Sequence, residues 1–361
     1  MSQFATPEWD KKFRNILADI GQSKCVVLLG PELIRTGNKT LHAALRDHLA
    51  STNDDDIAHY YERDGFFLFR SENDDTAKKD VQREVVSFYK NLLLGKDVDE
   101  TLLLRLARLR VPVILSINPD AFLSDIAFKY GIKHRFSYFQ HGGTAVQDVE
   151  TPTADMPLFY NLCGSLDRDD SLVLDFDDLF SLLSALLGSP GLPSNLALTL
   201  RQARHFLFVG FDFDKWYSQL LLRVLSGKRS GIRSLAIDTA RKDHNTTIFL
   251  YKQFRIEFIN DETEFLSELV HRAETGGLMR DIVEAQTPEA VRIIRFLQNG
   301  DILGALHQMK NDIRIQQEAT LLLARFHDLK DREARRTMDS RDYFVEYNRI
   351  VDAILETGKC L

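Results

Sequence analysis

Short apolar runs alternate with apolar residues at helical spacing along the first three quarters of the chain. Cys25-Val-Val-Leu-Leu29 is continuous and stops at Gly30-Pro31. A run of that length bounded by breakers predicts a strand buried on both faces, as in a parallel sheet. Leu41, Ala44, Leu45 and Leu49 then fall on one side of a predicted helix over 40–50. The polar residues 51–56 read as a loop, and helical patterns resume over 81–94 and 100–109. A second strand is predicted over 111–117. It ends at Asn118-Pro119-Asp120, where Asp120 can cap a helix over 121–130. A third, over 157–162, runs into Cys163-Gly164-Ser165, and helices follow over 175–187 and 196–203. His205-Phe-Leu-Phe-Val209 is the fourth strand, ending at Gly210-Phe211-Asp212, with a helix expected over 214–225. Two more strands are predicted over 234–237 and 254–259, then a helix over 262–273.

This alternation predicts an α/β fold, a doubly wound, mostly parallel, Rossmann-like sheet. Four strands end in small or polar clusters, and open α/β sheets bind ligands at that carboxyl edge. Beyond Thr275 the pattern changes. Gly276-Gly277 reads as a linker, and from Pro288 to Leu355 the apolar positions suit a small bundle of four helices. The expected division is a nucleotide-binding domain over 1–275 and a helical domain over 276–361.

Composition narrows the function. With 361 residues, 44% hydrophobic and 27% charged, the chain is of ordinary globular composition. Its formal charge of −7, with no basic block, argues against direct nucleic-acid binding. The three cysteines, Cys25, Cys163 and Cys360, are too scattered for a thiolate zinc site, so no metal is expected. No apolar run approaches the roughly 20 residues of a membrane span, and the N-terminus does not read as a signal peptide. A soluble cytoplasmic protein is the resulting expectation.

Val27-Leu-Leu-Gly-Pro-Glu-Leu33, Ser116-Ile-Asn-Pro-Asp120, Pro157-Leu-Phe-Tyr-Asn-Leu-Cys-Gly-Ser165 and residues 206–217 together resemble, in order and strand context, the sirtuin-like family of bacterial anti-phage systems. The resemblance implies NAD as substrate or ligand. Gly30, with Pro31, Glu32 and Arg35 beside it, would approach the phosphates. Asn118 would meet the nicotinamide ribose, with Asp120 supporting its loop and Gly164 and Ser165 nearby. Gly210, Phe211 and Asp212 would lie near the adenosine. Residues 318–330, 335–340 and 346–350 resemble the small helical effector-associated domains of bacterial conflict systems. That implies a protein partner from a neighbouring gene, bound through the helical domain, and a homo- or hetero-oligomer.

The chain departs from the sirtuin-like pattern at two places. The family's catalytic histidine is Cys163 here, and a thiol of ordinary pKa ~8.5 is a poor general base at neutral pH. Pro31 has no N–H for a phosphate, and Glu32 adds negative charge. His141, in the glycine-bearing loop before the third strand, is a candidate displaced base, whereas His42 and His205 are explained by packing. Three readings follow. One is an NAD glycohydrolase (NADase), a defence effector activated by a partner and releasing nicotinamide and ADP-ribose. Another is a catalytically impaired NAD- or ADP-ribose-binding regulatory subunit. The third is a structural subunit whose helical domain carries the function.

Overall fold

The computed structural model describes residues 4–36, 39–70, 75–95, 100–142, 148–211, 213–226, 233–237, 244–259, 261–283, 293, 296–297, 301–310, 312, 314–335 and 337–358. The chain forms two compact units, residues 1–123 with 133–280, and residues 124–132 with 281–361.

The first unit begins with α1 (Pro7–Gly21), capped by the Thr6 hydroxyl, which accepts from the Trp9 N–H at 3.3 Å. Then come β1 (Cys25–Leu29), the two-residue strands β2 (Arg35–Thr36) and β3 (Lys39–Thr40), and α2 (Leu41–Thr52). A hairpin, β4 (Ile57–Tyr61) and β5 (Phe66–Phe69), leads to α3 (Asp75–Gly95), α4 (Glu100–Arg108) and β6 (Val113–Ser116). After α5 (Phe122–Lys129), most of which belongs to the second unit, the first unit continues through β7 (Arg135–Tyr138), β8 (Leu158–Asn161), α6 (Phe176–Leu187), α7 (Ser194–Gln202) and β9 (His205–Val209). It ends with α8 (Trp216–Ser226), β10 (Arg233–Ile237), α9 (His244–Phe254), β11 (Ile256–Ile259) and α10 (Glu262–Thr275).

Seven strands form one sheet in the order β11-β10-β9-β1-β6-β8-β7, and every neighbouring pair is parallel. This is the doubly wound α/β fold expected from the pattern. β1, β8 and β9 are buried at every position, which explains why they are apolar apart from Asn161 and His205 at strand ends. The second strand is shorter than expected: Pro112 cannot donate to the ladder, which begins at Val113. Several elements had not been read from the sequence. They include α1, the short β2–β3 pair, the β4–β5 hairpin, α9, and β7, an edge strand whose residues are only half buried. The Asp64-Gly65 turn between aromatic runs was a legible hairpin signal.

Gly276 ends α10 as its C-cap, and residues 277–280 beyond it stay with the first unit. Leu109 pairs with Met279 in an antiparallel bridge. Arg280 is buried, and its guanidinium donates to the carbonyls of Ala107, Leu109, Val111 and Ala154. It thereby ties the end of α4 to the entry of β6.

The described core of the second unit is built on α11 (Ile302–Lys310), α12 (Gln316–Ala334) and α13 (Ser340–Gly358). Leu306, Met309, Phe326, Leu329, Ile350 and Ile354 pack together there. Most of the first of the four expected helices falls outside the described residues.

Candidate functional site

Parallel strands release their loops on one edge, and the last rung of the ladder aligns Leu29, Ser116 and Asn161 across β1, β6 and β8. The loops after these strands converge on a cavity of about 70 Å³. Pro31, Ile117, Asn118, Pro119 and Cys163 contribute to its wall from the sheet edge. The insert between β1 and β6 supplies His42, Leu45, Gly65, Phe66, Phe67, Val85 and Tyr89. Leu172 to Leu174, with residues of α6 and α8, complete it.

Asn118 is buried, and its side-chain amide donates to the Gly30 carbonyl at 3.4 Å, joining the first two loops. Its backbone N–H donates to the Ser116 hydroxyl at 3.0 Å. Asp120 precedes α5 by two residues, and its carboxylate accepts from the N–H of the first helical residue, Phe122, at 3.1 Å. The Asp120 carbonyl is held in turn by the Asn161 amide at 2.7 Å. Asn161 was overlooked in the sequence, although a polar residue ending an apolar strand marks the carboxyl edge.

Gly30 is required by the Gly210 backbone, and Gly210 by Leu33. A Cβ on Gly30 would sit 2.2 Å from the Gly210 carbonyl oxygen, and one on Gly210 would sit 2.3 Å from the Leu33 nitrogen. Gly210 also has φ +61, in the left-handed region. The Glu32 N–H donates to the Gly210 carbonyl at 2.9 Å, so the β1 and β9 loops are locked backbone to backbone. Phe211 is buried in the core against Phe208 and Phe213 and does not line the cavity. Gly164 abuts Ser171, whose hydroxyl accepts from the buried Ser165 N–H at 2.9 Å. Asp212 and the side chain of Arg35 lie outside the described residues.

His141 stands beside the cavity without forming its wall; its Nε2 lies 3.4 Å from the Leu172 carbonyl oxygen. Cys163 does line the cavity, but burial pushes its thiol up to about 12, against a smaller opposing effect of Lys215. It is therefore a thiol, not a thiolate, at neutral pH. Burial likewise raises the Tyr89 phenol far above its ordinary range. His42, dismissed in the sequence as a packing residue, moves the other way. Burial, and then the Lys215 ammonium, bring it down to about 3, so it is a neutral imidazole. Lys215 is itself buried. Both groups crowd Gly65, where a Cβ would meet His42 Nδ1 at 3.1 Å and Lys215 Nζ at 3.3 Å.

A folded-state pKa below the unfolded ~6.5 means that the unfolded chain binds the proton more readily. Stability contributed by neutral His42 is thus complete above about pH 6.5 and drains away as the pH falls towards about 3. Urea denaturation from pH 7 to 4.5 should show His42→Gln losing about 1.4 kcal/mol less per pH unit than the parent chain. Parallel losses in the two proteins would show that His42 charges freely in the folded state.

The insert is fastened over the cavity. The Phe67 N–H donates to the Leu174 carbonyl at 2.8 Å, and the Tyr217 hydroxyl to the Asp64 carbonyl at 3.3 Å. Lys78 bridges Asp175 and Asp178 at 2.7 Å each. Asn118 and His42 offer donors and acceptors suited to a ribose, and Lys215 offers charge suited to a phosphate. A space of about 70 Å³ nevertheless takes a few atoms, whereas ligand pockets typically enclose ~300–1,000 Å³. The polar groups fit one end of a dinucleotide.

Among the described residues, no helix is long and apolar enough to cross a membrane, and no cluster of three or more His, Cys, Asp or Glu could hold a metal. No curated protein matches the chain. The family model for the SIR2-like domain matches residues 112–259, which carry the Asn118 and Cys163 loops. That for effector-associated domain 11 matches residues 288–359. The two matches follow one another along the chain in the order SIR2-like domain, then C-terminal effector-associated domain.

Proposed function

We propose that the protein is an NAD-cleaving effector of bacterial anti-phage defence, activated by a partner that engages the helical domain over 276–361. The observation that carries this reading is the convergence of Pro31, Asn118 and Cys163 on one cavity at the carboxyl edge of the sheet, within a chain of this two-domain composition. NAD is the substrate. Asn118 holds the nicotinamide ribose and the attacking water, and Asp120 keeps the Asn118 loop in register by capping α5. The bond to nicotinamide breaks through an oxocarbenium-like state, which the oriented polar groups of the loops stabilise. The products are nicotinamide and ADP-ribose. Activation by the partner corresponds to release of the insert fastened over the cavity.

A second reading, a regulatory subunit that binds NAD or ADP-ribose without turnover, is favoured by the protonated thiol at Cys163, where the family pattern has its histidine. NAD loss is to be measured by mass spectrometry with the full-length chain, alone and with the product of the neighbouring gene. Turnover is expected with the partner, and Asn118→Ala should lower it at least about 100-fold while leaving the chain folded. Intact NAD that raises the melting temperature would favour the regulatory subunit. Turnover undiminished in Asn118→Ala would remove Asn118 from the mechanism.

A further inference from the structure

A base inside the cavity must carry a lone pair at neutral pH, and few of its walls can. Tyr89 and Cys163 are enclosed and keep their protons. Tyr217 commits its hydroxyl proton to the Asp64 carbonyl, and the Asn118 amide has no basic nitrogen. His42 remains. It projects from the second position of α2, on the helix edge adjoining the buried Leu41 and Leu45, and faces the same cavity as Asn118 and Cys163. Its Nδ1 lies beside Lys215 Nζ across Gly65. His141 makes no part of this wall.

We propose that His42 is the acid–base residue of this cavity, an imidazole delivered by α2 in place of the one missing after β8. This rests on the NAD-cleavage reading above. In the step assigned to it, a water oxygen forms a bond to the ribose carbon that carries nicotinamide. The carbon–nitrogen bond breaks, and its electron pair stays on the pyridine nitrogen, cancelling the positive charge there. The water proton passes to the unprotonated ring nitrogen of His42 and later to solvent. One NAD and one water thus yield nicotinamide, ADP-ribose and one proton.

Lys215 gives the arrangement a condition. Its ammonium opposes protonation of His42, so the imidazole is a weak base beside that cation. A phosphate-bearing substrate held near Lys215 offsets that charge and makes the imidazole more basic. Among the described residues, the titratable groups sharing the cavity wall with His42 are Cys163, Tyr89 and Tyr217, while Lys215, Asp64 and His141 stand at its border.

The test is NAD turnover against pH by the full-length chain with its neighbouring-gene partner, for the parent, His42→Gln and His42→Ala. His42→Gln is expected to lower kcat at least about 100-fold, with KM and melting temperature close to the parent. His42→Ala should regain turnover when imidazole is added, and the rescued rate should follow the pKa of the added base. A merely packing role would not produce that dependence. His42→Gln with the parent kcat and pH profile overturns the proposal while leaving NAD cleavage standing. A parent chain that leaves NAD intact overturns the cleavage reading, and the proposal with it.

Discussion

Replacing Gly210 by alanine is expected to abolish the soluble folded protein or to cost it at least about 3 kcal/mol, a large share of the ~5–15 kcal/mol that holds a domain together. Two costs add. The left-handed backbone at φ +61 penalises any side chain, and the new Cβ would stand 2.3 Å from the Leu33 nitrogen and 2.7 Å from its Cα. Neither obstacle is the movable end of a side chain. Gly30→Ala separates the two costs. Its φ of −107 suits alanine, so its whole effect comes from the 2.2 Å approach to the Gly210 carbonyl oxygen. Gly142→Ala is the control, because its Cβ would meet nothing within 4 Å. Urea denaturation of the three variants should rank them in that order. A Gly210→Ala chain as stable as the parent would show that the β1 and β9 loops are not locked together.

The second large effect is expected at Arg280. Burial, and then the nearby Arg110, bring its guanidinium down to about 10, so it stays charged at neutral pH. Its stabilising partners are backbone carbonyls at the end of α4 and the start of β6. Arg280→Met fills much of the volume but leaves those carbonyls without their donors, at about 3–5 kcal/mol. Arg280→Lys should recover only part of this, since an ammonium has three donors and no planar fork to span four carbonyls. Chemical denaturation measures both variants. Loss of less than about 1 kcal/mol in Arg280→Met would show that water replaces the guanidinium. Because β6 leads directly to Ser116 and Asn118, the same variant tests whether this distant clamp holds the candidate site in register.

How much of this was legible in the sequence varied with the range of the interaction concerned. β1 and β9 were bounded correctly because a strand buried on both faces is a nearly continuous apolar run. The Asp120 cap was legible because its partner, the Phe122 N–H, lies two residues away. Asn118 and Cys163 were placed on strand-end loops by pattern, and the structure brings both to one cavity. Phe211 and Gly210 stand in the same kind of loop, yet one serves the core and the other meets Gly30. Nothing local distinguishes a loop residue facing a cavity from one packed against a neighbouring loop.

The sequence alone determined the alternation of strands and helices, hence the parallel sheet, and the change to an all-helical segment after the last strand. Both follow from the period of apolar residues, which is a local property. It also determined which loops gather at the carboxyl edge, because parallel strands leave no other arrangement. Tertiary structure decided which loop residues share the cavity and which are spent on packing. It set the protonation of His42 and Cys163, since burial and a lysine 173 residues away from His42 in the chain control both. It also made Arg280 a clamp, through carbonyls contributed by chain segments far from it in sequence. Contacts between distant segments have no period to read, and a group's charge state depends on what the fold places around it.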